Sequence, residues 1–467
     1  MADEVDNSGR GDKSSAPTWR RKLRLWHLSV GLVCLAVAGL LVMRWHWRAQ
    51  FQRRINAIRA AGFPATAKEL DAWYPWPASG QNAACWITGA AALHHKLRPA
   101  YSRRLEQVFN RSSERPDPNQ PILEDLGDVL ERYVRENAKA LEMLHGATSV
   151  AECRYPIDLS QGMMAAMPHI ANVREGCLLL CAEAVVCAEG GDPNGATQAL
   201  EAELRVACSL DQEPVMLSHL VQMSTAGWAA AALEWVLNAA ALTEEQLARL
   251  NRAFSSVHAA DGLLRAIVGD RCLSLVEFEK PQMVSRQHRF PKPPPAALME
   301  MYGAVGLAAR EGTVFLDHME ECLQIAQLPA FHRPAAIKAQ EARYGRSRKG
   351  LLWEEVDARS MPTLIGYELK RVAQLEVAKM LLAVERYRLA HASLPEALDQ
   401  LVPDYLAAVP PDPFDGAPLR YKRLEHGFLV YSVGEDGKDD GGKQEPPKET
   451  RESGETWDLV FRIERQG

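Results

Sequence analysis

Between Leu25 and Met43 the chain carries nineteen consecutive residues, LWHLSVGLVCLAVAGLLVM, without one Asp, Glu, Lys or Arg. A helix of that length covers about 28 Å, the thickness of a bilayer's hydrocarbon core. Trp19, Trp26, Trp45 and Trp47 flank the run as an aromatic belt does. A cleaved signal peptide is the rival reading, but the run is long for one and leads into RWHWRAQ, with no small-residue cleavage site. The pattern predicts a retained transmembrane anchor over 25–43 behind a polar tail, 1–24, with the lipid bilayer as partner.

From 48 to 345 the period changes to that of amphipathic helices. In ILEDLGDVLERYVREN, Leu123, Leu126, Leu130 and Tyr133 recur at spacings of three and four, which puts them on one buried face. Thr66 with Glu69, and Thr243 with Gln246, fit the capping box. AEGGDPNGATQALEAEL sets a Gly-Asp-Pro-Asn-Gly turn between two alanine-rich helices and predicts a helical hairpin. Stacked hairpins similar to tetratricopeptide repeats are the expected body, although no 34-residue period is present. STAGWAAAALEWVLNAAAL predicts an interior helix whose small side chains admit a close neighbour. The alternative, a second span, is interrupted by Glu234. RFPKPPPAA at 289–297 is a stiff connector, and 346–360 reads as a linker.

Beyond residue 361 a long helix carries two apolar stripes, Leu369, Ala373, Val377, Met380, Val384 and Tyr387 on one side and Val372, Leu375, Leu382 and Leu389 on another. Both sides should be covered. Ser393 and Glu396 predict a short capped helix, after which PLRYKR, GFLVYSV and WDLVFRI alternate as three antiparallel strands.

Composition narrows the functional classes. The chain has 467 residues, 47% hydrophobic, enough for a sizeable core, and a formal net charge of −6. No global basic field draws it to nucleic acid, and RYGRSRKG at 343–350 is read as a solvated loop. Cys177 and Cys181 lie one turn apart in an apolar helix and read as core residues. Orientation is not decided by charge, because Arg20, Arg21, Lys22 and Arg24 are balanced by Arg44, Arg48, Arg53 and Arg54. A short tail, one anchor and a large body predict a single-pass protein of the cytoplasmic (inner) membrane with an extracytoplasmic body.

The segment ERYRLAHASLPEALDQLVPDYLAAVPPDPFDGAPLRY, followed by FLVYSVGEDGKDDGG, resembles the soluble domain of the type II secretion major pseudopilin. DPFDGAPLRY is the most specific part of a match that spans about 80 residues. The resemblance implies an α+β module over 361–467 and a calcium-binding loop. It departs from the family in the anchor, which lies about 320 residues upstream, and in lacking the processing site. Assembly into a pseudopilus is therefore not expected. Over its whole length, with IRAAGFPATAKELDAWYPWP at Ile58 to Pro77, the chain is similar to uncharacterised bacterial single-anchor proteins.

Candidate chemistry concentrates in that loop. Calcium takes six to eight oxygens, and a glycine-rich turn could bring Asp436, Asp439 and Asp440 together with main-chain carbonyls. The same residues also suit a plain solvated turn. Gly437, Gly442 and Lys443 fit G-x-x-x-x-G-K, but Gln444 and EPPKE supply neither the hydroxyl nor the helix that a phosphate loop needs. LDHMEEC at 316–322 holds possible ligands, of which His318 and Cys322 share a helix face, while His94 and His95 point to different faces. H-E-x-x-H, G-x-S-x-G and G-x-G-x-x-G are missing.

The expected molecule is mainly α, with one transmembrane helix, a hairpin-rich body over 48–345 and a C-terminal module with a long helix and three-stranded antiparallel sheet. Its expected function is that of a membrane-anchored, non-catalytic scaffold with a protein partner on the helical body and a structural calcium site. A membrane-anchored hydrolase and a secretion-associated accessory component are the alternatives.

Overall fold

The computed structural model describes residues 18–110, 124–257, 259–286, 294–345, 352, 360–444 and 457–464. The apolar run belongs to α1, Thr18–Ala60, one unbroken helix. It is long and apolar enough to cross a membrane, and Leu32 and Leu35 are about seven-tenths exposed within the chain's own fold. Farther along the same helix Phe51, Ile55 and Ile58 pack into a core with Ile267, Phe315 and Met319. The apolar stretch and the body are therefore joined by helix rather than by a loop.

Fourteen further α-helices follow among the described residues. They are α2 (Ala67–Trp73), α3 (Ala83–Leu93), α4 (Pro99–Phe109), α5 (Glu124–Glu136), α6 (Ala138–Ala147), α7 (His169–Glu189) and α8 (Pro193–Ala207). Then come α9 (Met216–Ala239), α10 (Glu244–Ser255), α11 (Ala259–Glu279), α12 (Ala296–Ala304), α13 (Leu307–Gln327), α14 (Arg333–Gly345) and α15 (Ser360–His391). Local chemistry sets several ends. Asp192 caps α8 by accepting from the Gly195 N–H at 2.9 Å, which closes the α7–α8 hairpin that the Gly-Asp-Pro-Asn-Gly turn predicts. Thr243 and Gln246 form the full capping box of α10. Thr66 caps α2, but Glu69 reaches back to the Ala65 N–H rather than to Thr66.

The alanine-rich α9 is interior: every residue from Thr225 to Leu237 is buried. Its small side chains let α15 lie against it, and Leu375, Val377, Met380 and Val384 of α15 share one core with Leu178, Leu200 and Trp235. The other side of α15 meets the sheet. Strands β1 (Arg420–Leu424), β2 (Gly427–Ser432) and β3 (Leu459–Glu464) are antiparallel in the order β1-β2-β3, with Phe428, Val430, Phe461 and Ile463 in the same core. Both stripes of the long helix are thus covered, except that Leu389 is 41% exposed near its end. The short helix expected after Ser393 is reduced to one 3-10 turn, Leu398–Leu401, and the Glu396 N–H donates to the Gln400 side chain.

Glu234 has a role the sequence did not suggest. It is fully buried and accepts from the Arg462 N–H at 2.7 Å, while Asn238 donates to Arg462 O and accepts from Glu464 N. Two side chains of α9 thereby stand in for a neighbouring strand on the open edge of β3, which would otherwise be free to pair with another chain.

Candidate functional site

Three places could carry function: a polar groove on the helical body, the glycine-rich loop, and the buried acid and histidine networks.

The groove runs between α6, α7, α8 and α10. One hollow of about 1020 Å³ is lined by His145, Glu183, Glu201, Arg249 and Arg252, among others. A second, of about 470 Å³, continues past Trp76, Glu152 and Gln212, and Arg205 and Ser256 belong to both. The polar side chains are held in place. Arg249 grips Glu201 with both Nε (2.9 Å) and Nη2, and Arg205 donates to the Val150 and Ala151 carbonyls at 2.9 and 2.7 Å. His145 donates to Glu183 at 2.8 Å, and that bond holds the imidazolium form to higher pH than usual against the opposing effect of burial. Arg252 is exposed and makes no ion pair among the described residues. Among the described residues this is a polar surface on which Glu183, Glu201 and Arg205 are held by partners and Arg252 makes no ion pair.

In the C-terminal loop Gly434, Gly437, Gly441 and Gly442 all have positive φ, between 68 and 82°, so the chain turns back on itself there. The predicted aspartates are not equivalent. Asp436 accepts only from the Lys438 N–H within its own turn. Asp439 accepts from Tyr431 Oη (3.1 Å) and Gly441 N (2.9 Å) and lies 3.6 Å from Arg420. Asp440 has one carboxylate oxygen that is buried and unpartnered. Opposite it stands Asp458, which the sequence reading missed. It accepts from Asp440 N at 3.3 Å and Gly442 N at 2.6 Å. Burial raises the Asp458 pKa, and the charges of Asp439 and Asp440 add to the rise. The available signal was a carboxylate at the start of the last strand-like run, WDLVFRI. Asp439 and Asp440 are therefore near enough to act electrostatically on Asp458, whereas Asp436 bonds within its own turn. Among the described residues no group of three His, Cys, Asp or Glu side chains has the arrangement of a metal centre.

Asp412 of the DPFDG segment is structural. Fully buried, it accepts from Phe414 N, Ser432 Oγ and Val433 N, and its Oδ2 lies 2.8 Å from Arg420. It fastens that segment to the end of β2.

The buried His169 network is not ordered for nucleophilic catalysis. His169 Nε2 lies 3.0 Å from both oxygens of Glu213, and Ser218 donates to the same carboxylate. These are the residue types of a nucleophilic triad in the wrong order, because the acid stands between serine and histidine, so the histidine cannot take the serine proton. All three are buried. His318 and Cys322 are an interior pair 3.6 Å apart, bound with Gln340; Asp317 pairs with Arg54 and Glu321 with Arg343. His94 bonds to Tyr133 at 2.7 Å and burial lowers its pKa. Cys177 and Cys181 are fully buried free thiols, as their apolar helix predicts.

No family model, no curated protein and no solved structure matches the chain.

Proposed function

We propose that the protein is a membrane-anchored interaction protein that presents the groove between α6, α7, α8 and α10 to a polar segment of a protein partner. The observation that carries this reading is the continuity of α1, which is apolar and bare through Met43 and packed into the body from Phe51. A helix that serves both as span and as core element holds the groove at a fixed height and angle above the bilayer, as a scaffold requires. The stacked helices then work in the manner of tetratricopeptide-type arrays, whose neighbouring hairpins build a binding surface. The body is assigned to the outside of the cytoplasmic membrane. The test is a photocrosslinking residue placed at Gln198 in the groove or, as a control, at the exposed Glu425 turn, in membranes washed with alkaline carbonate. One discrete adduct from Gln198, weakened by Arg252→Glu, is expected. Equal labelling from both positions, or release of the chain by carbonate, overturns the proposal.

We also propose that calcium stabilises the C-terminal loop through Asp439, Asp440 and Asp458, with Asp436 contributing at most from the rim. The unpartnered Asp440 oxygen and the electrostatic effect of Asp439 and Asp440 on Asp458 support it, as does the likeness of this segment to the pseudopilin loop. The sign follows from linkage. An acid whose pKa is raised on folding loses its proton more readily in the unfolded chain, so its contribution to stability falls as pH rises above the ordinary carboxylate range. Calcium would offset that loss. Because β2 and β3 share their core with α9, the full chain is used rather than a fragment. Calcium at a hundredfold excess over its dissociation constant adds about 2.7 kcal/mol. The melting point is expected to rise in the parent and to stay fixed in Asp440→Asn/Asp458→Asn; equal rises, or none in either protein, remove the site.

A further inference from the structure

A third cavity, of about 540 Å³, opens where the body meets the far end of α1. Its walls come from four helices and are mainly apolar, with Ile58 and Phe63 on one side and Leu264, Val268, Leu316 and Leu323 on the others. The volume lies within the range of small-molecule sites.

The inner end of this cleft is charged. Arg271 belongs to the lining yet is only 1% exposed. Its Nη2 donates to the Pro64 carbonyl at 3.2 Å, its Nε has no partner, and no carboxylate among the described residues comes within ion-pair distance. A buried guanidinium is costly unless an anion or a full set of acceptors faces it, and here it has the Pro64 carbonyl and the weak Cys272 sulfur, with the Glu320 carboxylate acting only from beyond ion-pair distance. Arg265, half-buried, stacks 4.9 Å from the Trp73 ring and likewise makes no ion pair among the described residues. Carboxylates are present only elsewhere in the lining: Asp317 is taken by Arg54 at 2.7 Å, and Glu320 and Asp261 are exposed. An incoming ligand thus meets scattered negative charge at the solvent side, apolar walls, and beyond them two arginines that make no ion pair among the described residues. That sequence disfavours polyanions such as nucleotides and favours a single anionic head on an apolar body.

We propose that this cleft binds a monoanionic amphiphile, with the head group on Arg271 and Arg265 and the apolar body along Ile58, Phe63, Leu264 and Leu323. The chemistry is shared by a free fatty acid and by an anionic lipid. The second source rests on the reading of α1 as a membrane span, whereas the binding chemistry does not.

The test uses the full chain in phosphatidylcholine nanodiscs, titrated with dodecanoate, dodecanol and dodecyltrimethylammonium and followed by calorimetry. Dodecanoate is expected to bind at least tenfold more tightly than either analogue. Arg271→Met should remove that preference while leaving the protein folded, because an apolar side chain of similar length replaces an incompletely partnered charge. Leu264→Trp, which fills the cleft and leaves both arginines in place, should abolish binding and guards against an Arg271 variant that fails to fold. Equal binding of the three amphiphiles, or parent-like dodecanoate binding by Leu264→Trp, overturns the proposal. Nanodiscs containing phosphatidylglycerol separate the sources: competition with dodecanoate identifies the bilayer lipid as occupant, and its absence identifies the free acid.

Discussion

Gly269→Ala is expected to destabilise the body by more than about 3 kcal/mol, or to prevent it from folding, because a methyl group at that position would meet backbone rather than a movable side chain. A Cβ on Gly269 would sit 1.7 Å from the carbonyl oxygen of Pro214. That close approach of α11 to the start of α9 has a structural use. Val215 supplies no side-chain cap for α9, and Asp270, next to Gly269, accepts from the Met216 N–H at 3.0 Å from across the interface. Holding the helices apart would lose the cap as well as the packing. Gly366→Ala in α15 is the control, since nothing lies within 4 Å of its added Cβ and alanine favours helix by up to about 1 kcal/mol. Thermal melting of the two variants should therefore shift in opposite directions. A Gly269→Ala melting point equal to that of the parent would sink the account of this interface.

Glu203→Met is expected to stabilise the protein, by about 1–3 kcal/mol at neutral pH, and to flatten its pH dependence. Glu203 of α8 is wholly buried, and among the described residues its carboxylate has at most the weak, long contact of the Cys177 thiol as a donor. Burial drives its pKa far above the ordinary carboxylate value. While the folded chain holds this proton and the unfolded chain does not, stability falls with rising pH by about 1.4 kcal/mol per unit. Asp270 acts in the same direction, with a pKa pushed up to about 7 by burial against the opposing Met216 N–H bond. Melting points measured across pH 5 to 8 should decline steeply in the parent and less so in Glu203→Met. Parallel curves would mean that Glu203 is ionised or solvated in the fold.

What the sequence discloses and what it hides divide along a physical line. Features set by neighbours in the chain are legible: the charge-free run in α1, the Asp192 turn of the α7–α8 hairpin, the Thr243 box and the three alternating strands. Leu126, Leu130 and Tyr133 are buried on one face of α5, as their spacing requires; Leu123 lies outside the described residues. So do most of 346–360 and of RFPKPPPAA. Features set by residues far apart are silent. Nothing local marks Glu234 as the partner of a strand 228 residues away, Asp270 as the cap of another helix, or Arg271 as the inner wall of a cleft. The loop site shows both sides of the division. Asp439 and Asp440 stand out in a glycine-rich turn, whereas Asp458 reaches them only through the pairing of β3 with β2.

The seating of β3 on α9 also fixes an order of events during synthesis. The edge acceptors on α9 are made long before Arg462 and Glu464, and Phe461 and Ile463 complete the core that Trp235 and Leu237 begin. A nascent chain with α1 finished and α9 exposed therefore presents an unfilled apolar surface for the whole interval in which those residues are still being added. The part of this core that Phe461 and Ile463 fill is complete only once β3 has been made.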